Sequence, residues 1–493
     1  MARTHWLESA MTELKRTISI DEIQNTRGVR FGTSGARGLV VDMSDEVCFA
    51  YAAAFLEAIS ARSGAVALAM DLRPSSPTIA AACAAAIRDR GLGVDFCGAI
   101  PTPALAYHAQ TNRLPGIMVT GSHIPFDRNG IKFYRADGEI TKADEAKISA
   151  AVVDVPVTHT AVLPEVNRKA YDAYVARYVD FFPPQCLAGM RLGFYEHSSL
   201  ARDVLRTILE RLGAEVVSLG RTDEFVPIDT EAVSTADIEQ ARRWAKEYRF
   251  DAIVSTDGDA DRPLVGDENG DWFRGDVLGI LCAQYLRAKG VVTTVSSNTA
   301  VERCSAFDVV SRTRIGSPYV IEGIEQQLAA GVSPVVGFEP NGGFLVGSAI
   351  ERDGRSLAPL ITRDAVLPIL CVLMMARERG VKLSALPAEL PARFTASDRI
   401  QAFPTALSRQ LIDSFAASGD AFSQAFGGCF GECVSQDQTD GLRVTLSSGE
   451  IIHFRPSGNA PELRCYAEAA SQARAEQMVH EGLSRMKALV SKA

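Results

Sequence analysis

Excess positive charge is missing from this sequence. Its 51 Lys and Arg face 60 Asp and Glu, giving a net charge of -9 and a pI of about 5.5. That balance excludes a general electrostatic hold on nucleic acid or an anionic membrane, so any phosphate chemistry has to use local cationic sites. Long apolar runs are missing too. The longest, Ala365 to Ala376, is too short to span a bilayer and contains Pro368, which predicts a buried helix instead. Near the amino terminus, Arg3, His5, Glu8, Glu13, Lys15 and Arg16 interrupt the apolar centre that a signal peptide needs. Cysteine is scattered: of ten, the closest two, Cys429 and Cys433, lack Cys or His partners at zinc-finger spacing. Together these absences predict reduced thiols in a cytoplasmic protein with no nucleic-acid or membrane partner.

What is present belongs to an ordinary globular chain, 47% hydrophobic and 23% charged, and 493 residues exceed what one core usually serves. Ser44 to Ser60 predicts a helix, Ala65 to Met70 a strand ending at Asp71, and Ser75, Ser76 and Pro77 the capped start of a helix that Gly91 stops. Val94 to Cys97 and Pro103 to Gln110 continue the alternation. It resumes at Met190 to Tyr195, Ala201 to Leu212 and Ala214 to Leu219, and again at Val277 to Lys289 and Val291 to Val295. Strands and helices at this spacing predict α/β layers with largely parallel strands. The carboxy-terminal region changes character, with strand-like residues at Leu442 to Leu446 and a closing helix from about Ala469.

Four stretches carry chemistry. The first runs from Val119 to Lys132, where Ser122 sits between Gly121 and His123 just after the apolar run Ile117, Met118 and Val119. A serine there emerges from a buried strand into a loop where it can be approached closely. Upstream, Arg30 to Val40 sets three glycines beside Arg37, a composition that lets amides and a guanidinium meet an anion. A nucleophile elbow fails there because Ala36 occupies the position of its last glycine. The second stretch holds Asp257, Asp259 and Asp261 at a period of two, so that in an extended loop their carboxylates project to one side. Crowded carboxylates repel unless a cation lies between them, and hard oxygen donors favour magnesium, calcium or manganese. A calcium loop counted from Asp257 fails at Arg262, which stands where that loop needs glycine. In the third, Glu339 and Asn341 lie in a glycine-rich segment, Gly337 to Gly343, suited to reading adjacent hydroxyls. The fourth combines Arg455, Ser457, Gly458, Asn459 and Arg464, a set that suits a dianionic phosphate.

In this order the stretches resemble the α-D-phosphohexomutases, a family of phosphomannomutases, phosphoglucomutases and phosphoglucosamine mutases. Thr120-Gly-Ser-His-Ile-Pro with Asn129-Gly-Ile-Lys132 is similar to the family's phosphoserine loop, and Asp257-Gly-Asp-Ala-Asp-Arg262 to its metal loop. Gly337 to Gly343 resembles the sugar-specificity loop, and Arg455-Pro-Ser-Gly-Asn-Ala-Pro461 the phosphate-binding loop. The resemblance implies three related α/β domains and a smaller α+β carboxy-terminal domain around a central cleft, divided near residues 1–156, 157–268, 269–386 and 387–493. It implies that Ser122 carries a phosphoryl group and that Mg2+ is held by Asp257, Asp259 and Asp261 with a phosphoserine oxygen. Arg262, Arg37 and Lys132 then stabilise charge on the group in transit, with His123 or Lys132 moving the proton. The implied substrate is a hexose phosphate, mannose before glucose before glucosamine, with hexose 1,6-bisphosphate as intermediate and activator, and the protein a monomer or homodimer. Gly121, Ile124, Asn341, Gly343, Asn459 and Ala460 depart from the family's usual residues, which touches substrate choice more than catalysis.

Overall fold

The computed structural model describes residues 15–32, 35–122, 124–157, 162–426, 429–457 and 462–490. His123, Gly458 and Asn459 therefore lie outside the described residues. The chain divides into two compact units, one made of residues up to Tyr171 and the other of Asp172–Ala493, with Gly32–Ser34 and Pro101–Pro103 grouped with the second.

In the first unit, strands Gly93–Ala99, Ala65–Met70 and Gly116–Val119 run parallel, and Arg128–Arg135 and Ala36–Leu39 continue the sheet antiparallel. Helices Asp45–Ala58 and Ser76–Asp89 cover it, the first started by Ser44, whose hydroxyl accepts from the Val47 amide, while Ser75, the expected cap of the second, precedes it in a helical backbone conformation without a side-chain cap bond. Their alanines let the two helices pack closely, and Phe49, Phe55 and Ile87 are fully buried between them and the sheet.

The second unit repeats the plan. Glu215–Leu219, Arg191–Tyr195 and Ala252–Thr256 are parallel, followed by antiparallel Pro263–Gly266. Val309–Thr313, Gly290–Thr294 and Val335–Phe338 are parallel, followed by antiparallel Phe344–Val346 and Leu360–Asp364. The predicted buried helix is Val366–Arg379, with every residue from Val366 to Ala376 buried. The remaining sheet is wholly antiparallel, in the order Phe394–Ile400, Leu463–Ala469, Ile451–Pro456, Leu442–Leu446 and Cys433–Asp437. One face packs Phe454, Ile452, Cys465 and Ala467 against Phe422, Phe426 and Met478. The other face is polar.

One correction concerns strand direction. Each α/β sheet starts parallel, as its alternating elements predict, and then reverses. The cause is the length of the functional loops: after Val119, Thr256 and Phe338 only a handful of residues precede the next strand, whereas a parallel return needs a crossover of about a dozen or more. A hairpin is the only connection that fits. Three of the four chemical motifs thus occupy one topological position, the turn between the third parallel strand and its antiparallel neighbour.

Candidate functional site

Ser122 is almost fully buried and has a left-handed backbone, φ 52°, a conformation that non-glycine residues adopt at some cost and that marks constrained loops. Its amide donates to Thr120 Oγ1 at 2.8 Å. The loop is clamped by Arg73, whose guanidinium donates to the carbonyls of Ser122, Ile124, Pro125 and Arg128 at 2.6 to 3.0 Å. Asp71 orients that guanidinium at 3.2 Å and also accepts from the Gly121 amide and the Ser76 hydroxyl. A Cβ at Gly121 would lie 2.4 Å from the Arg73 guanidinium carbon, so the glycine at this position makes room for the clamp. Lys132 stands on strand Arg128–Arg135 and is buried; Arg37 lies opposite Gly130 on the adjoining strand. Residues 130 and 132 share a face, so Arg37 and Lys132 present two cations on one side of the sheet beside the serine loop.

The Asp257–Arg262 stretch is a tight turn rather than an extended loop. The Asp257 amide donates to Arg262 O, the Ala260 amide to Asp257 O, and Ala260 has φ 59°. The turn itself, not strand alternation, brings the three carboxylates together: all are buried, with ligand atoms within 4.8 Å of one another. Asp257 Oδ1 accepts from the Asp261 and Arg262 amides, and Thr102 Oγ1 donates to Asp259 Oδ2 at 2.8 Å. Arg262 Nε lies 3.6 Å from Asp261 Oδ1. Arg363, from strand Leu360–Asp364, donates to Asp261 Oδ2 through Nη2 at 2.7 Å and Nε at 3.2 Å.

The same guanidinium reaches the sugar-loop glutamate, with Arg363 Nη1 at 3.3 Å from Glu339 Oε1. Burial pushes the Glu339 carboxyl above its usual range, and Arg363 and Arg262 oppose the shift. Asn341 Oδ1 accepts from the Gly343 amide at 2.9 Å and the Asn341 carbonyl from Thr230 at 2.7 Å, so Asn341 shapes the loop. Glycine at 343 follows from space: an added Cβ would meet the Arg363 stem at 2.5 Å.

In the carboxy-terminal domain Arg455 and Arg464 are directly opposed across antiparallel strands, and Arg399 is opposed to Arg464 on its other side. Like charges in register destabilise a sheet unless anions offset them. Asp440 lies 3.2 Å from Arg455, Glu231 and Glu462 each 3.6 Å from Arg464, and Asp229 3.3 Å from Arg399. Ser457 is buried at the root of the turn, its amide donating to Glu462 O. Carboxylates within the fold thus offset the row.

Sequence reasoning picks out Arg37, Lys132, the aspartates, Glu339, Arg455 and Arg464, and misses Arg73, Thr102, Arg363 and Arg399. None of these four sits in a glycine-rich motif. The only signal was indirect: two glycines, Gly121 and Gly343, at positions where a side chain is usual.

Four models of the phosphoglucomutase/phosphomannomutase family match in succession: α/β/α domain I over residues 28–155, domain II over 169–270, domain III over 274–394 and the C-terminal domain over 383–483. The phosphomannomutase of Salmonella muenchen is 46% identical over 487 residues, spanning 97% of this chain and 100% of that relative. The chain belongs to this family. A second relative, the phosphomannomutase of Sinorhizobium fredii, is 45% identical over 468 residues, 93% of this chain and 98% of its own. Among solved structures, a phosphoglucomutase/phosphomannomutase family protein from Burkholderia thailandensis shares the fold with a TM-score of 0.73 at 21% identity, covering 96% of this chain and 98% of that one. The open form of the Paramecium phosphoglucomutase parafusin gives 0.71 at 14% identity, covering 96% of each. As in the family description, three α/β domains precede a distinct C-terminal domain. No helix among the described residues is long and apolar enough to cross a membrane.

Proposed function

We propose that this phosphohexomutase moves a phosphoryl group between the 1- and 6-positions of a hexose, with mannose phosphate preferred, glucose phosphate next and glucosamine phosphate last. What carries the reading is one observation: over almost its whole length the chain is 45 to 46% identical to two phosphomannomutases. Ser122 and the three aspartates, each at the reversal point of an α/β sheet, supply the chemistry.

The aspartate cluster fits a hard divalent cation, because buried carboxylates this close repel one another and offer only oxygen. When bound, Mg2+ supplies Lewis-acid stabilisation of a transferring phosphoryl group. Asp257, Asp259 and Asp261 would hold it, with an oxygen of phosphorylated Ser122.

A sugar hydroxyl oxygen attacks the phosphorus on Ser122; the serine O–P bond breaks as the new sugar O–P bond forms, and the hydroxyl proton passes through His123 or Lys132 to the departing serine oxygen. The product is a hexose 1,6-bisphosphate. After reorientation Ser122 Oγ attacks the other phosphorus, that sugar O–P bond breaks, and the proton returns to the sugar oxygen. Arg37, Lys132 and Arg262 stabilise the group in transit. Glu339 receives sugar hydroxyls, while Arg455, Ser457, Gly458, Asn459 and Arg464 hold the phosphate that is not reacting, with Arg399 extending the row. Free bisphosphate primes the serine. On this reading the enzyme works in the cytoplasm on small sugar phosphates, as a monomer or homodimer.

The test pairs intact-mass measurement with turnover of mannose, glucose and glucosamine 1-phosphates. Wild type is expected to carry one phosphoryl group on Ser122 and to release almost no inorganic phosphate. Ser122→Ala should lose that group and at least about a thousandfold in kcat while keeping its circular dichroism. Full mutase activity in Ser122→Ala, or stoichiometric phosphate release by wild type, would overturn the reading.

A further inference from the structure

Resting on that reading, we propose that Arg363 is a specificity-determining residue, which makes the site select neutral hexose phosphates over cationic 2-amino-hexose phosphates. Three observations converge on it. Its guanidinium is buried and lies 3.3 Å from Glu339 Oε1, the carboxylate proposed above to receive sugar hydroxyls. Its stem fills the volume a side chain at 343 would need, with Cδ, Cγ and Cβ at 2.5, 2.8 and 3.0 Å from an added Cβ. Its other nitrogens bond Asp261 at 2.7 and 3.2 Å, which fixes the guanidinium and prevents it from swinging aside.

The electrostatic consequence follows directly. A lone buried glutamate attracts an ammonium; one 3.3 Å from a fixed guanidinium attracts it less, because Arg363 repels the ammonium over nearly the same distance. Such a carboxylate still accepts hydrogen bonds from neutral hydroxyls, since ion pairing leaves it lone pairs. An incoming ammonium would be desolvated beside a fixed cation that already occupies the near side of the carboxylate. Glucose 1-phosphate and glucosamine 1-phosphate differ only by a hydroxyl and an ammonium at carbon 2, so they measure this effect with shape held constant.

The experiment compares kcat/KM for these two substrates in the full-length enzyme. Wild type should favour glucose 1-phosphate by about a hundredfold or more. Arg363→Met should lower that ratio at least tenfold, mainly through KM, whereas Arg363→Lys, which keeps the charge, should hold it. Loss of the bond to Asp261 lowers kcat for both sugars alike, so a purely structural role would leave the ratio unchanged, and an unchanged ratio in Arg363→Met overturns the proposal. Should Arg363→Met not fold, calorimetric binding of both sugar phosphates to wild type decides: equal affinities overturn it, and at least tenfold weaker binding of the amino sugar supports it. Wild type inert towards every hexose phosphate would instead overturn the function proposed above.

Discussion

Gly121 and Gly343 belong to different loops in different units, and each is glycine because a buried arginine passes where its Cβ would be. What the two arginines do there differs. Arg73 spends four hydrogen bonds on main-chain carbonyls and so fixes a backbone path, holding Ser122 in its left-handed conformation. Arg363 bonds carboxylates, and so fixes a charge distribution across the metal and sugar loops. On the proposed mechanism, a nucleophile needs its position defined, and a cation site and a sugar-reading glutamate need their net charge defined. The same side chain serves both because a guanidinium has five donors in a rigid fork and does not shed its proton when buried.

The contrast breaks most visibly at Arg73. Arg73→Met leaves Asp71 buried without its cation and four carbonyls without their donor, and should cost about 3 to 5 kcal/mol in urea unfolding. The rise in Tm on adding Mg2+ should survive, because the aspartate turn is untouched. Arg73→Lys should behave almost as badly, since a point charge cannot reach four carbonyls at once. At Arg363 the opposite holds: the lysine variant keeps what matters.

On the charge side, Asp261→Asn removes both a candidate metal ligand and the partner of Arg363. Expected are a fall in kcat of about 10^2 to 10^3-fold and a much smaller Mg2+-induced rise in Tm. An undiminished rise would disconnect the triad from metal binding.

His453 shows the alternative open to a buried base that can lose its proton. Its Nε2 donates to the Asp440 carbonyl, and burial pushes the imidazole down to about 4. The unfolded chain takes up that proton first, near its ordinary pKa of about 6.5. Stability is therefore full above that pH and falls as the pH drops towards 4, by at most about 3 kcal/mol. His453→Gln should flatten this acid limb in a plot of Tm against pH, whatever its effect at neutrality.

The smallest effects come from the glycines. Gly121→Ala and Gly343→Ala each overpack an arginine and should cost about 1 to 3 kcal/mol by urea midpoint. Gly121→Ala should act chiefly on kcat through the serine loop, and Gly343→Ala chiefly on sugar KM. Equal kinetic signatures for the two would erase the distinction between shape and charge.

The sequence by itself determined the local elements and marked the candidate residues. The helix expected from about Ser44 runs Asp45–Ala58, the apolar run from Ala365 became a buried helix, and Ser122 emerged from the strand that Ile117, Met118 and Val119 forecast. These depend on propensity, periodicity and residue chemistry, which act over a few positions. Only the tertiary structure decided which way the strands ran beyond each motif, because loop length matters once the neighbouring strand is known. It alone set Arg399, Arg464 and Arg455 in one row and brought Arg363 to both Asp261 and Glu339. Those pairings join residues far apart in the chain, and a guanidinium on a long stem leaves no periodic trace of where it will reach.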